Sequence, residues 1–237
     1  MIEGLLYSNS GMNTRMQQLE VVSNNLANSN TVGFKRDVVF NEALSQSQNN
    51  QDYQVTGNKV TDFTAGFYEY TGNKLDLALN GEAFFTVDGP NGPRYTRNGH
   101  FNVNSEGVLC TNSGSIISGE RGPIVVGSNF KVNAQGEIFD NDVLVDRLCL
   151  VEISDVNQLR KEADSFFMLP DDSQATVKEA VDFEVKQGYL EKSNVNPVEE
   201  MVSLIEIYRL FEADQKAIKE QDDTLNKAIN DVGRVAV

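Results

Sequence analysis

The sequence contains no tryptophan, a single histidine and two cysteines. One histidine, His100, cannot build a multi-histidine metal site, and it offers no choice of bases for a Ser-His-Asp or Cys-His pair. It follows an Asn98-Gly99 turn and reads as a polar strand residue. Cys110 and Cys149 lie in strand-like surroundings without CxxC spacing or neighbouring histidines. They read as free, buried thiols, and a disulfide would need their strands to pair. The acids of Asp171-Asp172, Glu199-Glu200 and Asp222-Asp223 are sequence neighbours, so their side chains diverge on a strand or a helix and form no carboxylate dyad. A glycine-rich phosphate cradle of either standard type is missing. The expectation is a protein without catalytic residues, metal, cofactor or small-molecule substrate.

Long apolar runs are also lacking, and none approaches transmembrane length. The N-terminal "MIEGLLYSNSGMN" has neither the basic region nor the sustained apolar region of a Sec-type signal peptide. That leaves a cytoplasmic protein or one exported by another route. Basic residues are scarce where the charge is concentrated. The formal net charge is −15, and residues 37–186 carry eleven basic against twenty-three acidic side chains, while both ends are closer to neutral. Such a surface repels phosphate backbones and argues against a nucleic-acid partner. With 237 residues and 40% apolar content, a sizeable core can still be buried.

What is present is a clear change of period along the chain. Residues 3–28 read as a helix, with Met12, Met16, Leu19, Val22 and Leu26 spaced by 4, 3, 3 and 4. Ser29, Asn30 and Gly33 stop it. Residues 37–74 show weak periodicity, and "SQSQNNQD" at 45–52 is linker-like. From Leu75 to about Tyr189 the pattern is strand-like. "LDLALNG" alternates, "AFFTV" is a short apolar run, and turn signals recur at Asp88-Gly89, Asn91-Gly92, Asn98-Gly99, Glu106-Gly107 and Gln135-Gly136. "FNVNSEGVL" (101–109) and "FKVNAQGEI" (130–138) share F-x-V-N-x-x-G-x-[L/I], each reading as two strands joined by a short turn with a positive-φ glycine.

The C-terminal segment is helical again. Pro197 after Asn196 starts it, and Glu199 and Glu200 suit the positive end of the helix dipole. In heptads, one column is Met201, Tyr208, Gln215, Asp222 and Ile229, and the other is Leu204, Phe211, Ile218, Leu225 and Val232. The second is apolar throughout, which is coiled-coil-like. The predicted fold class is therefore α+β, with N- and C-terminal amphipathic helices flanking a mainly-β middle domain. The segments are a helix and turn at 1–36, an extended or linker segment at 37–74, a β-rich body at 75–189 and a helix at 190–237. The two apolar stripes either pack within one compact monomer or are buried between subunits on assembly.

"SNNLANSNTVGFKR" (23–36) resembles the signature of the flagellar axial proteins, the rod and hook family, in which the N-terminal helix ends in NNLAN-x-x-T-x-GFK. Asn24, Asn25, Leu26, Ala27, Asn28, Thr31, Gly33, Phe34 and Lys35 all match. "LDLALNGEAFFTV" (75–87) resembles the L-D-x-A-x-x-G-x-x-F-F segment, with Glu82 and Ala83 where the family often has a second glycine nearby. "YTRNGHF" (95–101) resembles its Y-T-R-x-G-x-F strand, and "GYLEKSNVNPVEEMVSLIEIYRLFEADQKAI" (188–218) its C-terminal G-x-L-E-x-SNV-x-x-x-E-M signature. The length and the "RLFEADQKAI" ending look most like the proximal-rod members, with distal-rod or hook-type members as the alternative. The rival class, an extracellular β-rich binding module, would need a concave aromatic or polar groove, of which the sequence shows no sign.

The resemblance implies a structural subunit in a helical tube crossing the periplasm, exported by the flagellar type III apparatus without a cleaved signal. Its implied partners are copies of itself and other rod proteins, with helices forming inner layers and the acidic domain outward. The expected assembly interface is Met12, Met16, Leu19, Val22, Asn24, Asn25, Leu26, Asn28, Gly33, Met201, Leu204, Tyr208, Phe211, Ile218 and Leu225. Asn24 and Asn28 lie four apart on one helix face, where amides bond across subunits without adding charge or simply terminate the helix. Gly33 is expected to turn the chain sharply.

Overall fold

The computed structural model describes residues 2–43, 55–89, 92–127 and 129–234, so the "SQSQNNQD" run and Asn91 lie outside the described residues. The fold is α+β, with one helix near each end and a mainly-β middle. Helix α1 spans Ile2–Ala27 and α2 spans Pro197–Arg234. Between them run β1 (Asp37–Ala43), β2 (Val55–Thr61), β3 (Tyr68–Tyr70), β4 (Leu77–Gly81), β5 (Phe84–Gly89), β6 (Gly92–Thr96), β7 (Phe101–Val103), β8 (Leu109–Thr111), β9 (Ser118–Gly119) and β10 (Gly122–Pro123). They are followed by β11 (Phe130–Val132), β12 (Glu137–Asp140), β13 (Val143–Arg147), β14 (Leu150–Ile153), β15 (Arg160–Lys161), β16 (Phe166–Met168), β17 (Val177–Glu179), β18 (Phe183–Gln187) and β19 (Tyr189–Glu191).

Contacts divide the chain into two units that do not follow sequence order. One comprises Met1–Ala27, Asp37–Asp62 and Val195–Val237; the other comprises Asn28–Arg36 and Phe63–Asn194. In the first unit α1 packs on α2, and β1 pairs antiparallel with β2 from Asp37↔Thr61 to Ala43↔Val55. This ribbon occupies part of the stretch that shows no clear period in sequence. Its strands pair with each other alone, and along β1 Val38 and Val39 are both half-buried and Phe40 is exposed, so no clean alternation marks them. Helix α2 begins where Asn196 Oδ1 accepts the Val198 N–H at 3.1 Å, with Pro197 as first helical residue and Glu199 and Glu200 in the first turn.

The second unit is built on a six-stranded antiparallel sheet in the order β15-β16-β6-β5-β14-β17. Period-two alternation sends neighbouring side chains to opposite faces, and both faces are covered. Phe85 and Val87 of β5, Leu150 of β14 and Phe166 of β16 enter one apolar cluster. Phe84, Val151, Ile153 and Phe167 enter another with Tyr95. Burial on both sides is why "AFFTV" reads as a continuous apolar run. In β4, Leu77 and Leu79 enter the first cluster, and Ala78 between them is buried as well.

The two F-x-V-N-x-x-G copies fold alike. In each, a strand pair closes on a turn whose asparagine carbonyl accepts the glycine N–H, Asn104 from Gly107 at 3.1 Å and Asn133 from Gly136 at 3.0 Å. Asn104 Oδ1 also accepts the N–H groups of Glu106 and Val108, and Asn133 Oδ1 those of Gln135 and Glu137. Gly107 and Gly136 supply positive φ, 80° and 76°. The invariant asparagine thus holds the turn from its side chain, a role an alanine cannot perform. Asn104→Ala and Asn133→Ala should each lower stability by about 1–2 kcal/mol, nearly additively, as read by urea denaturation.

Candidate functional site: the junction of the signatures

The sequence signatures meet in the second unit around one buried carboxylate. Glu191 of β19, from the "GYLE" segment, is 0% exposed, and Lys35, from "GFKR", is 1% exposed. Lys35 Nζ lies 2.5 Å from Glu191 Oε1 and donates to the Thr64 carbonyl at 2.8 Å. The Gly66 N–H donates to the same carboxylate oxygen at 3.1 Å. Arg97, from "YTRNG", stands 3.8 Å from Glu191 Oε2 and donates to the carbonyls of Leu79 and Gly81 at 3.2 and 2.5 Å. Its guanidinium also covers the Phe84 ring at 5.1 Å. Burial pushes the Arg97 guanidinium down from its ordinary value, and the Glu191 carboxylate pushes it back up.

The backbone of the N-terminal signature is fitted to this cluster residue by residue. The Gly33 N–H donates to the Glu191 carbonyl at 2.8 Å. Gly33 has φ +66°, and a Cβ there would stand 2.4 Å from Asn98 N and 2.5 Å from Arg97 C. Only glycine supplies both the conformation and the close approach. Phe34 is buried, with Lys161 Nζ 3.6 Å above its ring and donating to the Lys35 carbonyl at 2.5 Å. Asn194 Oδ1 of the "SNV" segment accepts the Arg36 N–H at 2.7 Å, and its amide nitrogen donates to Thr64.

In the first unit the decisive amide is Asn25. It is 2% exposed, donates to the Asp37 carbonyl at 2.8 Å and accepts the Asp37 N–H at 2.9 Å. The Asp37 carboxylate accepts the Thr61 hydroxyl at 2.7 Å and pairs with Lys59 at 2.8 Å. Asn25 therefore ties the end of α1 to the start of the β1/β2 ribbon. Asn24 is exposed, and Asn28 is half-buried and accepts the Thr31 hydroxyl and N–H.

Of the N-terminal stripe, Met12, Leu19, Val22 and Leu26 are half-buried and Met16 is exposed, while Thr14 and Val21 are buried. On α2, Leu204, Phe211, Ile218 and Leu225 are half-buried, and Met201 and Tyr208 are exposed. The side chains of Ile229 and Val232 lie outside the described residues. Sequence reasoning missed the Lys35–Glu191–Arg97 cluster. The one available signal was that each charge stands inside a separate signature.

Cys110 is buried, Cys149 is half-buried, and both are free. His100 Nδ1 lies 2.7 Å from Asp76 Oδ1, a polar knot that also takes the Thr71 hydroxyl at 2.6 Å. Among the described residues no group of three or more His, Cys, Asp or Glu could hold a metal, and no helix is long and apolar enough to cross a membrane.

The chain belongs to the flagellar basal-body rod proteins, a structural family and not an enzyme family. Residues 5–35 match the family described as "Flagella basal body rod protein", 78–140 "Flagellar hook protein FlgE/F/G D1 domain", and 186–231 "Flagellar basal body rod FlgEFG protein C-terminal". Among its relatives, the flagellar basal-body rod protein FlgF of Rhizobium meliloti (strain 1021) is 33% identical, covering 97% of this chain and 98% of that protein. FlgF of Caulobacter vibrioides is 31% identical over 94% of each chain. FlgG of Buchnera aphidicola subsp. Acyrthosiphon pisum is 30% identical over 96% of this chain and 98% of its own.

Two consequences can be measured. Asn25→Ala leaves the Asp37 N–H and C=O without their partner and should cost about 1–3 kcal/mol in denaturant titration. Asn13→Ala, at an exposed position of the same helix, should be neutral or slightly stabilising. The Tyr68 hydroxyl donates to the Leu79 carbonyl at 2.9 Å, and burial, then the Glu191 carboxylate, raises its pKa above 10.0. The neutral phenol thus adds stability that is present below pH about 10 and lost as pH rises through the higher folded value. Tyr68→Phe should flatten the alkaline limb of a Tm–pH profile, leaving the part due to Tyr95, which burial shifts the same way.

Proposed function

We propose that this chain is a subunit of the flagellar rod that joins further copies and other rod proteins in a helical tube transmitting torque. The observation that carries this is the second apolar face of α2. Val198, Met201, Val202, Ile205 and Tyr208 follow helical spacing and are 46–62% exposed. The other face, with Leu204, Phe211, Ile218 and Leu225, is half-buried and serves the packing of α1. A helix that meets its own partner with one apolar face and leaves another to water has a surface for a neighbour.

The coiled-coil-like character of both helices belongs to this reading, with Leu204, Phe211, Ile218 and Leu225 as the inner seam and Met201 and Tyr208 as the outer one. At the N-terminal end, Met12, Met16, Leu19, Val22, Asn24, Leu26 and Asn28 are the residues we assign to subunit contacts. Asn25 supports that surface from within the first unit, and Gly33 holds the signature in the second. Heterologous contacts that do not close into a ring produce a helical tube, and torque then passes through many repeated contacts rather than through one site. Passage through the flagellar type III apparatus and a periplasmic place in the rod complete the proposal.

Ile205→Glu and Tyr208→Glu separate this reading from a merely tolerant surface. Each should leave monomer stability within about 0.5 kcal/mol and abolish motility on complementation of a strain lacking the chain. Phe211→Ala, on the half-buried face, should lower monomer stability by about 1–2 kcal/mol. Normal motility with both glutamate variants would remove α2 from the interface.

A further inference from the structure

We propose that residues 31–36 form a latch that undocks from the β body as a separate unit, with the Lys35–Glu191 pair as its release point. Two independent observations carry this. The first is how the segment is held. Its attachments are almost all polar: Gly33 N–H to the Glu191 carbonyl, Lys35 to Glu191 and Thr64, Lys161 to the Lys35 carbonyl, and Arg36 N–H to Asn194. Phe34 is the one buried large apolar side chain among them.

The second observation is where the apolar cohesion of the unit lies. Phe34 belongs to neither of the two apolar clusters around the six-stranded sheet, and neither does Leu190 beside Glu191. Lifting residues 31–36 therefore removes no side chain from either cluster, and the barrier to opening consists of the polar attachments and the exposure of Phe34. A buried lysine and a buried glutamate hold each other strongly while paired, and neither tolerates burial alone. Such a contact is two-state, because partial separation leaves two desolvated charges. The open form presents Phe34, Lys35 and Glu191 to solvent, so a neighbour that binds this form shifts the population.

Native-state hydrogen exchange on the full chain tests the latch. The amides of Gly33, Arg36 and Gly66 report on it, and those of Leu109 and Ile117, bonded to the carbonyls of Ile124 and Leu109, report on the core. In Glu191→Gln the latch amides should exchange about ten- to a hundredfold faster, with Leu109 and Ile117 unchanged. Trypsin should then cut after Lys35 or Arg36 while the core stays protected. Lys161→Met, which removes one attachment and no buried partner of Glu191, should give the same separation at smaller amplitude. Parallel loss of protection at latch and core in either variant overturns the proposal, because the segment then opens only with global unfolding. Unchanged latch exchange in both variants overturns it as well.

Discussion

The pairing of Lys35 with Glu191 is the contact around which the junction of the signatures is arranged. The two residues are 156 positions apart and almost fully removed from water. Desolvating either charge alone would cost several kcal/mol, of which the mutual attraction and the added hydrogen bonds offset a large part. That demand fixes the neighbourhood. Thr64 must present its carbonyl, Gly66 its N–H, and Gly33 must lie flat against the Asn98 backbone so that the lysine reaches inward. Arg97 adds a second cation on the far oxygen and anchors itself on strand carbonyls. A displaced register would leave a buried charge unpaired, so the cluster specifies alignment more than it adds stability.

Around this polar centre the sheet supplies the cohesion. Both of its faces are covered, and β5, β14 and β16 each contribute side chains to two apolar clusters at once. Phe84 and Phe85 are adjacent in sequence and on opposite faces; Phe166 and Phe167 repeat the arrangement in β16. Aromatic edge-to-face contacts reinforce each side, Phe85 with Phe101 at 5.0 Å and Phe84 with Phe63 at 5.8 Å. A sheet so loaded can accept a polar segment along its flank.

Much of this was legible from local pattern. The two helices, the mainly-β middle and the twin asparagine–glycine turns all rest on interactions within a few residues, which periodicity and turn chemistry report directly. The phase of α1 was harder to read. Val21 and Val22 are neighbours, and a stripe drawn through Val22 passes beside the fully buried Val21 and Thr14. Asn25 was recognisable as an unusual residue for a helix, but its partner Asp37 is a backbone group twelve residues on, and no spacing rule reveals it. Lys35, Arg97 and Glu191 belong to residue types that are normally solvated, and composition cannot separate a buried charge from an exposed one. Strand order in the six-stranded sheet depends on pairings such as Phe166↔Thr96 and Leu150↔Phe85, which are too distant in sequence for a turn to encode.

Helix α2 divides its apolar residues between two faces. Its inner face follows the spacing of one apolar column, and that column extends from Leu204 through Leu225, so packing of α1 draws on a long, thin contact. Among the described residues the exposed large apolar side chains of α2 lie between Val198 and Leu210, and beyond this segment the exposed positions include Glu212, Gln215, Lys216, Lys219, Glu220, Asp222 and Asp223. The exposed apolar surface is therefore local, while charged and polar side chains dominate the exposed positions beyond it. A helix apolar all round would aggregate before reaching its place. A helix with one apolar face would have nothing left to offer once α1 had covered it.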